Sequence, residues 1–326
     1  MTAVHVLGGL RLAAAALLVD AVVGDPPWLP HPVVLFGKWI AWYDARFNQP
    51  GDGNGRVQRL RGLALAVTTV GGAFCATLSL LLAVARVSPA AALALNVWLA
   101  ATTVAWRGLV AAGRRTARAL ADGGVAAGRA AVAQIVGRDT TELSESGVVR
   151  AAVETLAENT VDAVVAPVFF AVLGGAPLAL AYRAANTLDS MVGYRTSRYQ
   201  DFGRVSARLD DLLNFIPARL AAVLMWLAIV VTGGDGGEAW RIMRRDAAAH
   251  PSPNAGIPES MAAGALGVQL GGWNSYGGVR SFRATLGDDT RPLERADIGR
   301  TVRMVNAATG ILWLILVVGG WLSWLS

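Results

Sequence analysis

The chain has 326 residues, of which 54% are hydrophobic and only 16% charged, with a mean hydropathy of +0.45 and a formal net charge of +6. This composition excludes an ordinary soluble domain and places the chain in a membrane. Positive charge rests almost wholly on arginine, Lys38 being the single lysine. No RNP-type aromatic pattern or finger spacing accompanies it, so it reads as cytoplasmic loops under the positive-inside rule and not as a nucleic-acid surface. The lone cysteine, Cys75, lies in an apolar run, which excludes intrachain disulfides and multi-thiolate metal sites.

In chain order, residues 6–23 form an apolar stretch interrupted by Arg11 and Asp20 and are taken as a membrane span. No basic residue precedes its apolar part and no small-residue cleavage pattern closes it, so a removable signal peptide is not expected. Residues 62–85, 87–106 and 304–326 are uncharged runs of 24, 20 and 23 residues. Each is long enough to cross a hydrocarbon core of about 30 Å as a helix. Residues 109–136 read as two short helices separated by Gly123-Gly124, and a helix is expected over 140–157. Residues 163–182 are uncharged but divided by Pro167 and by Gly174-Gly175-Ala176-Pro177, which predicts a kinked span or a re-entrant hairpin. Residues 220–234 span only if Arg219 sits at an interface, and 235–250 read as a helix with a solvated basic face. No strand pattern of convincing length and no internal repeat is found. The reading is an all-α, polytopic membrane protein, a single domain over 1–326, with about four to six membrane segments and helical cytoplasmic connections. Arginine crowds all four long polar connections, so parity leaves the crossing number open.

Five polar clusters are more than membrane packing requires. GDPPWLPHPV (24–33) uses four prolines to hold an extended loop that presents Asp25 and His31. Glu154, Glu158 and Asp162, four apart, put three carboxylates on one helical face beside Asn159; they repel unless a cation or arginine neutralises them. A third cluster runs from Asn186 through Asp189 to Tyr194. In the fourth, ARLDDLLNFIPARL (207–220), Asp210 and Asn214 share a helical face, Arg208 and Asp211 are three apart, and Pro217 marks a helix stop on the plainer reading. The fifth is HPSPNAGIPES (250–260) with AGALGVQLGG (263–272), where glycine and proline suit a close backbone approach to a ligand.

Together, GDPPWLPHPV, ENTVDAVVAP (158–167), NTLDSMVGYR (186–195), DFG with ARLDDLLNFIPARL, and HPSPNAG with AGALGVQLGG resemble the adenosylcobinamide-phosphate synthase family of cobalamin biosynthesis. The resemblance runs from residue 20 to 272. It implies a multi-pass enzyme of the cell membrane, its active site facing the cytoplasm, that joins adenosylcobyric acid to aminopropanol phosphate through an amide bond while consuming ATP. Such a ligase would use ATP and Mg²⁺, with the corrinoid, the aminopropanol phosphate and the bilayer as its partners; whether it forms a homo-oligomer is left open.

A carboxylate is a poor acyl donor, so an ATP-dependent route would phosphorylate it, and cations must offset several negative charges at once. On that logic Asp25, Glu158, Asp162, Asp189, Asp210 and Asp211 are candidate metal or base positions. Asp162, Asp210 and Asp211 are favoured for metal, and Asp25, Glu158 and Asp189 for catalysis. Arg195, Arg198 and Arg208 are candidate phosphate clamps; Asn159, Asn186, Tyr194, Asn214 and Asn254 are candidate substrate contacts. His31 or His250 would take a proton from the attacking ammonium. No Walker-type GxxxxGK[ST] is present. A non-catalytic membrane sensor and a transporter are the rival readings; the density of Asp, Asn and His opposes the first, and the lack of an inverted repeat the second.

Overall fold

A computed structural model of the chain describes residues 3–26, 31–49, 54–194 and 196–322. The elements in order are α1 (Ala3–Val22), α2 (Pro32–Phe47), α3 (Gly55–Val87), α4 (Pro89–Ala101), α5 (Trp106–Val132), α6 (Glu145–Thr160), a π-helical turn (Val161–Val165), α7 (Ala166–Val192), α8 (Arg204–Val231), α9 (Gly236–Asp246), a 3₁₀ turn (Ala247–Ala249), α10 (Gly256–Leu266), β1 (Leu270–Tyr276), β2 (Val279–Leu286) and α11 (Arg295–Leu322). The protein is a helical, polytopic membrane protein. Among the described residues four helical stretches are long and apolar enough to cross a membrane, Gly55–Val87, Pro89–Val132, Glu145–Val192 and Arg295–Leu322, and Arg204–Val231 makes a fifth if its two halves count as one bent span. Helix α1 forms as expected but is not among them.

The chain divides into two compact units, Met1–Ala105 with Ala166–Asn214 and Ile315–Ser326, and Trp106–Val165 with Phe215–Leu314. In the first, α7 packs against α1, α2, α3 and α4. Helix α3 shows how this works in a medium that offers no hydrophobic drive between helices. Apart from Leu65, its buried residues are the small Gly62, Ala66, Thr69, Ala73 and Thr77, while Leu63, Val67, Leu78 and Leu82 are exposed. Small residues inward and large ones outward allow close backbone approach. At Gly62 an added Cβ would stand 1.9 Å from the carbonyl oxygen of Phe202. Phe202 belongs to a core of Ile40, Leu65, Ala66, Leu188 and Val192 that sets the base of the segment 193–204.

Two glycine breaks expected in the sequence are present. Helix α5 leaves helical geometry at Gly124 (φ 67°), and α7 breaks at Gly174 and Gly175 (φ −158° and 64°). The second half of α7 restarts with its Ala176 N–H donating to the Asn96 side chain at 2.8 Å, which satisfies a group that the break would leave bare.

Three expectations are corrected. The helix expected from residue 140 begins at Glu145, because Ser144 is its N-cap and accepts from the Gly147 N–H. Helix α8 runs through Pro217 and does not stop there. An antiparallel hairpin, β1–β2, occupies 270–286, where no strand was expected. Its turn is Gly277-Gly278, both at positive φ (58° and 80°), which suits a tight two-residue hairpin. Asp139 grips this turn, accepting from the Gly277 and Gly278 N–H groups (3.1 and 2.8 Å) and from the Ser275 hydroxyl (2.6 Å).

Gly62→Val tests the close approach of α3. The added carbons meet backbone rather than a movable side chain, so a loss of about 1–3 kcal/mol is expected. Thermal unfolding in detergent that shows no fall in Tm would refute the contact.

Candidate active site

The candidate residues fall into groups within each unit. In the unit containing α7, the central group is Asp210. Its carboxylate accepts from the Asn186 side-chain amide at 3.2 Å and from Asn214 at 3.0 Å. Asn214 in turn accepts from the Tyr182 hydroxyl at 2.9 Å, and Asn186 accepts from Arg183 at 3.3 Å. The i,i+4 relation of Asp210 and Asn214 on α8 thus exists, joined by Asn186 from α7. Both direct partners of the carboxylate are neutral amides. Asp189, one turn after Asn186, lies so close to Gly193 that a Cβ there would meet its Oδ1 at 1.9 Å. Glycine at 193 is what lets the helix end against that carboxylate.

At the chain's entry to α2, His31 is the N-cap. Its Nδ1 accepts from the Val33 N–H at 3.3 Å, and its Nε2 lies 3.3 Å from Asp25 Oδ1. The proline-rich loop therefore does bring Asp25 and His31 together, although residues 27–30 within it lie outside the described residues.

Tyr194, Arg208 and Asp211 line a cavity of about 480 Å³ together with Arg59, Arg204 and Asp201. Arg59 is paired with Asp201 at 2.7 Å. Arg198 is committed elsewhere, to Asp44 at 2.7 Å, and the Tyr199 hydroxyl donates to the same carboxylate at 3.1 Å. Arg195 lies outside the described residues.

In the other unit, Glu154 is buried and answered by arginine. Arg138 forms a short charge-assisted bond to its Oε2, Arg150 Nε lies 3.8 Å from Oε1, and the Gly271 N–H donates to Oε1 at 2.8 Å. Arg138 also donates to Asn274 of β1 at 2.7 Å, which fastens the hairpin to the same charge. Attraction to Glu154 acts against desolvation, the largest influence on the Arg138 guanidinium, and leaves its pKa above the ordinary value. The acidic row on α6 is thus neutralised at its first member by two arginines that sequence reasoning had not singled out. Glu158 and Asp162 continue the row, the latter in the π-helical turn, while the Asn159 amide donates back to the Thr155 carbonyl at 3.0 Å.

His250 and Glu259 form a second buried pair, 3.6 Å apart between Nε2 and Oε1, with side chains 6% and 3% exposed. His250 Nδ1 accepts from the Ser252 N–H at 3.1 Å, which leaves the neutral ring's proton on Nε2, toward Glu259. Burial, and then Arg283, push the His250 pKa down. Burial, and then the charges of Glu158 and Glu154, push Glu259 well above the usual carboxylate range. Asn254 accepts from Arg219 at 2.8 Å. Among the described residues no group of three or more His, Cys, Asp or Glu is arranged to hold a metal ion.

A family model described as CobD/Cbib protein matches residues 13–305. The chain belongs to the CobD/Cbib family. Curated relatives in that family include the cobalamin biosynthesis protein CobD of Geobacter metallireducens, 49% identical over 303 residues covering 93% of this chain and 94% of the relative. CobD of Klebsiella pneumoniae is 42% identical, covering 94% and 96%, and the cobalamin biosynthesis protein CbiB of Salmonella typhimurium 41%, covering 93% and 94%. No solved structure matches the chain significantly. The CobD/Cbib match spans every polar group described above, from Asp25 to Asn274.

Two outcomes check the second unit. Arg138→Met leaves the Glu154 charge buried with weaker compensation and should cost about 3–5 kcal/mol, read as a fall in Tm; an unchanged Tm would show the pair to be dispensable. Glu259 has a folded-state pKa raised above its unfolded value, so its contribution is present below the unfolded pKa and lost as pH rises through the folded one. Glu259→Gln should therefore flatten the decline of Tm on the alkaline side and change little in acid. A decline as steep as in the parent would place the titration elsewhere.

Proposed function

We propose that this protein acts in cobalamin biosynthesis as the ATP-dependent ligase that joins adenosylcobyric acid to aminopropanol phosphate, giving adenosylcobinamide phosphate. The observation that carries the reading is the CobD/Cbib match over 13–305, whose relatives are named cobalamin biosynthesis proteins. The coarse role follows from those names; the reaction itself is supported by the motifs of the sequence and by the residues they bring together.

An amide-forming site must hold a dianionic phosphate, neutralise negative charge where the acyl group is activated, and take a proton from the amine. Arg208 and Arg204 line a cavity suited to phosphate. The Asp210 carboxylate offers oxygens of the hard kind that Mg²⁺ accepts, while Asn186 and Asn214 orient it by donating their amide N–H groups and turn their own oxygens to Arg183 and Tyr182. A nucleotide-borne Mg²⁺ needs only one or two protein carboxylates, so these residues fit it. When bound, ATP would supply the leaving group that makes the corrinoid acid an acyl donor, and Mg²⁺ would offset its phosphate charge. Of the two histidines considered as proton acceptors, His31 is the accessible one: its side chain is 24% exposed beside Asp25, whereas that of His250 is 6% exposed. The arginine-rich connections support a cytoplasmic site in the cell membrane.

Purified protein supplied with adenosylcobyric acid, aminopropanol phosphate, ATP and Mg²⁺ should yield the amide, detected by mass spectrometry. In membrane vesicles, externally added ATP should support this only when the cytoplasmic face is outward. Asp210→Asn should lower turnover about 100-fold, about 2.7 kcal/mol of transition-state stabilisation, with Tm nearly unchanged. No product from folded protein would reject the ligase reading; turnover only in right-side-out vesicles would reverse the orientation.

A further inference from the structure

A second cavity, of about 750 Å³, opens where the apolar half of α8 ends and α9 begins, wholly within the unit that contains Phe215–Leu314. Two helical stripes wall it. Val223, Trp226 and Val230, at i, i+3 and i+7, share one face of α8, and Gly237 and Trp240, three apart, share one face of α9. Trp226 and Trp240 meet edge to face at 6.4 Å. The Trp226 indole N–H is spent on the Gly236 carbonyl at 3.1 Å, which leaves the apolar part of the ring to the cavity. Among the described residues that line it Asp235 alone is charged, and its carboxylate is committed as the N-cap of α9, accepting from the Glu238 N–H at 2.9 Å. Such a wall gives the amides of a corrinoid or the base of a nucleotide no side chain to pair with.

Val223, Trp226, Val230 and Trp240 are all exposed around this one cavity, an arrangement that water would penalise. Helix α8 is the bent candidate span, and tryptophans at the end of a span mark headgroup depth, so hydrocarbon is the medium that fills the cleft. Arg244 adds a polar requirement. It stands at i+4 from Trp240 and i+7 from Gly237 on the same face of α9, about 6 Å beyond Trp240 along the helix axis. Its neighbours Arg241 and Arg245 are held by Glu238, Asp246 and Asp288. Arg244 is exposed and has no hydrogen bond or ion pair among the described residues. An open guanidinium one turn above an apolar cleft matches a phosphate joined to an alkyl chain.

We propose that the cleft between α8 and α9 binds one phospholipid of the bilayer, with an acyl chain against Trp226 and Trp240 and the phosphate on Arg244. The site lies apart from the residues given to amide formation and does not depend on that reading.

Native mass spectrometry of the full chain, delipidated in detergent and then titrated with phosphatidylglycerol or phosphatidylethanolamine, tests this. One molecule of either lipid should stay bound at collision energies that strip all others, and sn-glycerol 3-phosphate, a headgroup without chains, should leave no adduct. Gly237 is not at positive φ, and a Cβ there would meet only the Asp235 side chain, at 3.3 Å, so Gly237→Leu fills the cavity from α9 without straining the backbone. It should abolish the retained lipid. Arg244→Gln should weaken both lipids about tenfold, the scale of a hydrogen bond to a charged group, and Arg244→Lys should weaken them less. A diazirine-bearing acyl chain should crosslink within residues 223–240 of the parent and lose those crosslinks in Gly237→Leu. Because Arg244 is exposed and unpaired, its variants keep the fold, and parent-strength retention in Arg244→Gln would overturn the phosphate contact. Crosslinks only outside 223–240 would overturn the site. A dimer that Gly237→Leu converts to a monomer would mean that a second copy covers the cleft, which also overturns the proposal.

Discussion

Removing the Glu154 carboxylate from water costs several kcal/mol unless its charge is answered, and the surrounding unit is organised by that answer. Three separate stretches supply it: Arg138 from the connection before α6, Arg150 from α6 itself, and the Gly271 N–H from β1. Because the same arginines also hold Asn274, the hairpin is not an ornament on the helices but part of the neutralisation. Asp139, the neighbour of Arg138, grips the hairpin turn, so residues 138 and 139 fasten the turn end of β1 while Glu154 and Arg150 hold its start at Gly271. A hairpin of two strands is marginal alone; here its polar anchors replace the core it lacks.

Asp210 is handled differently. Its direct partners are two amides, which satisfy hydrogen bonds without cancelling charge. Guanidinium partners would lock the carboxylate into a closed ion pair, as they do at Glu154. Amide partners orient it and leave its negative charge available to a cation. This contrast separates a carboxylate that maintains the fold from one suited to chemistry, and it rests on the partners rather than on burial.

Much of the helical organisation was legible because its signals are local. The uncharged runs, the Gly123-Gly124 and Gly174-Gly175 breaks, and the Asp210–Asn214 spacing all depend on a few neighbouring residues. The Gly271 partner of Glu154 was not legible, since it is 117 positions away and no periodicity marks such a contact, whereas Arg150, four residues earlier on α6, stood at a helical spacing that was passed over. Glu259 was hidden for a similar reason, since its raised pKa comes from burial and from two glutamates on another helix. The hairpin did leave a signal, Gly277-Gly278 between WNSY and VRSF, and the Trp273–Phe282 pair faces across it at 5.3 Å. That turn was obscured because the glycine-rich approach from 263 reads equally as loop.

The break in α7 connects this local legibility to the candidate site. Each residue added to or removed from a helix turns everything beyond it by about 100°, so the direction in which Asn186 and Asp189 point depends on where the second half of α7 restarts. Gly174 and Gly175 release the helix from its first register, and the Asn96 side chain fixes the restart at Ala176. Three turns later the same register brings Asn186 to Asp210. Had the helix run through residues 174 and 175 without interruption, Asn186 would face another direction and the carboxylate would lose one of its two orienting amides. The polar residue in α4 and the glycine pair in α7 are therefore positioning devices for a group about ten residues further along, which gives a physical reason for a break in a segment apolar enough to cross a membrane as a straight helix.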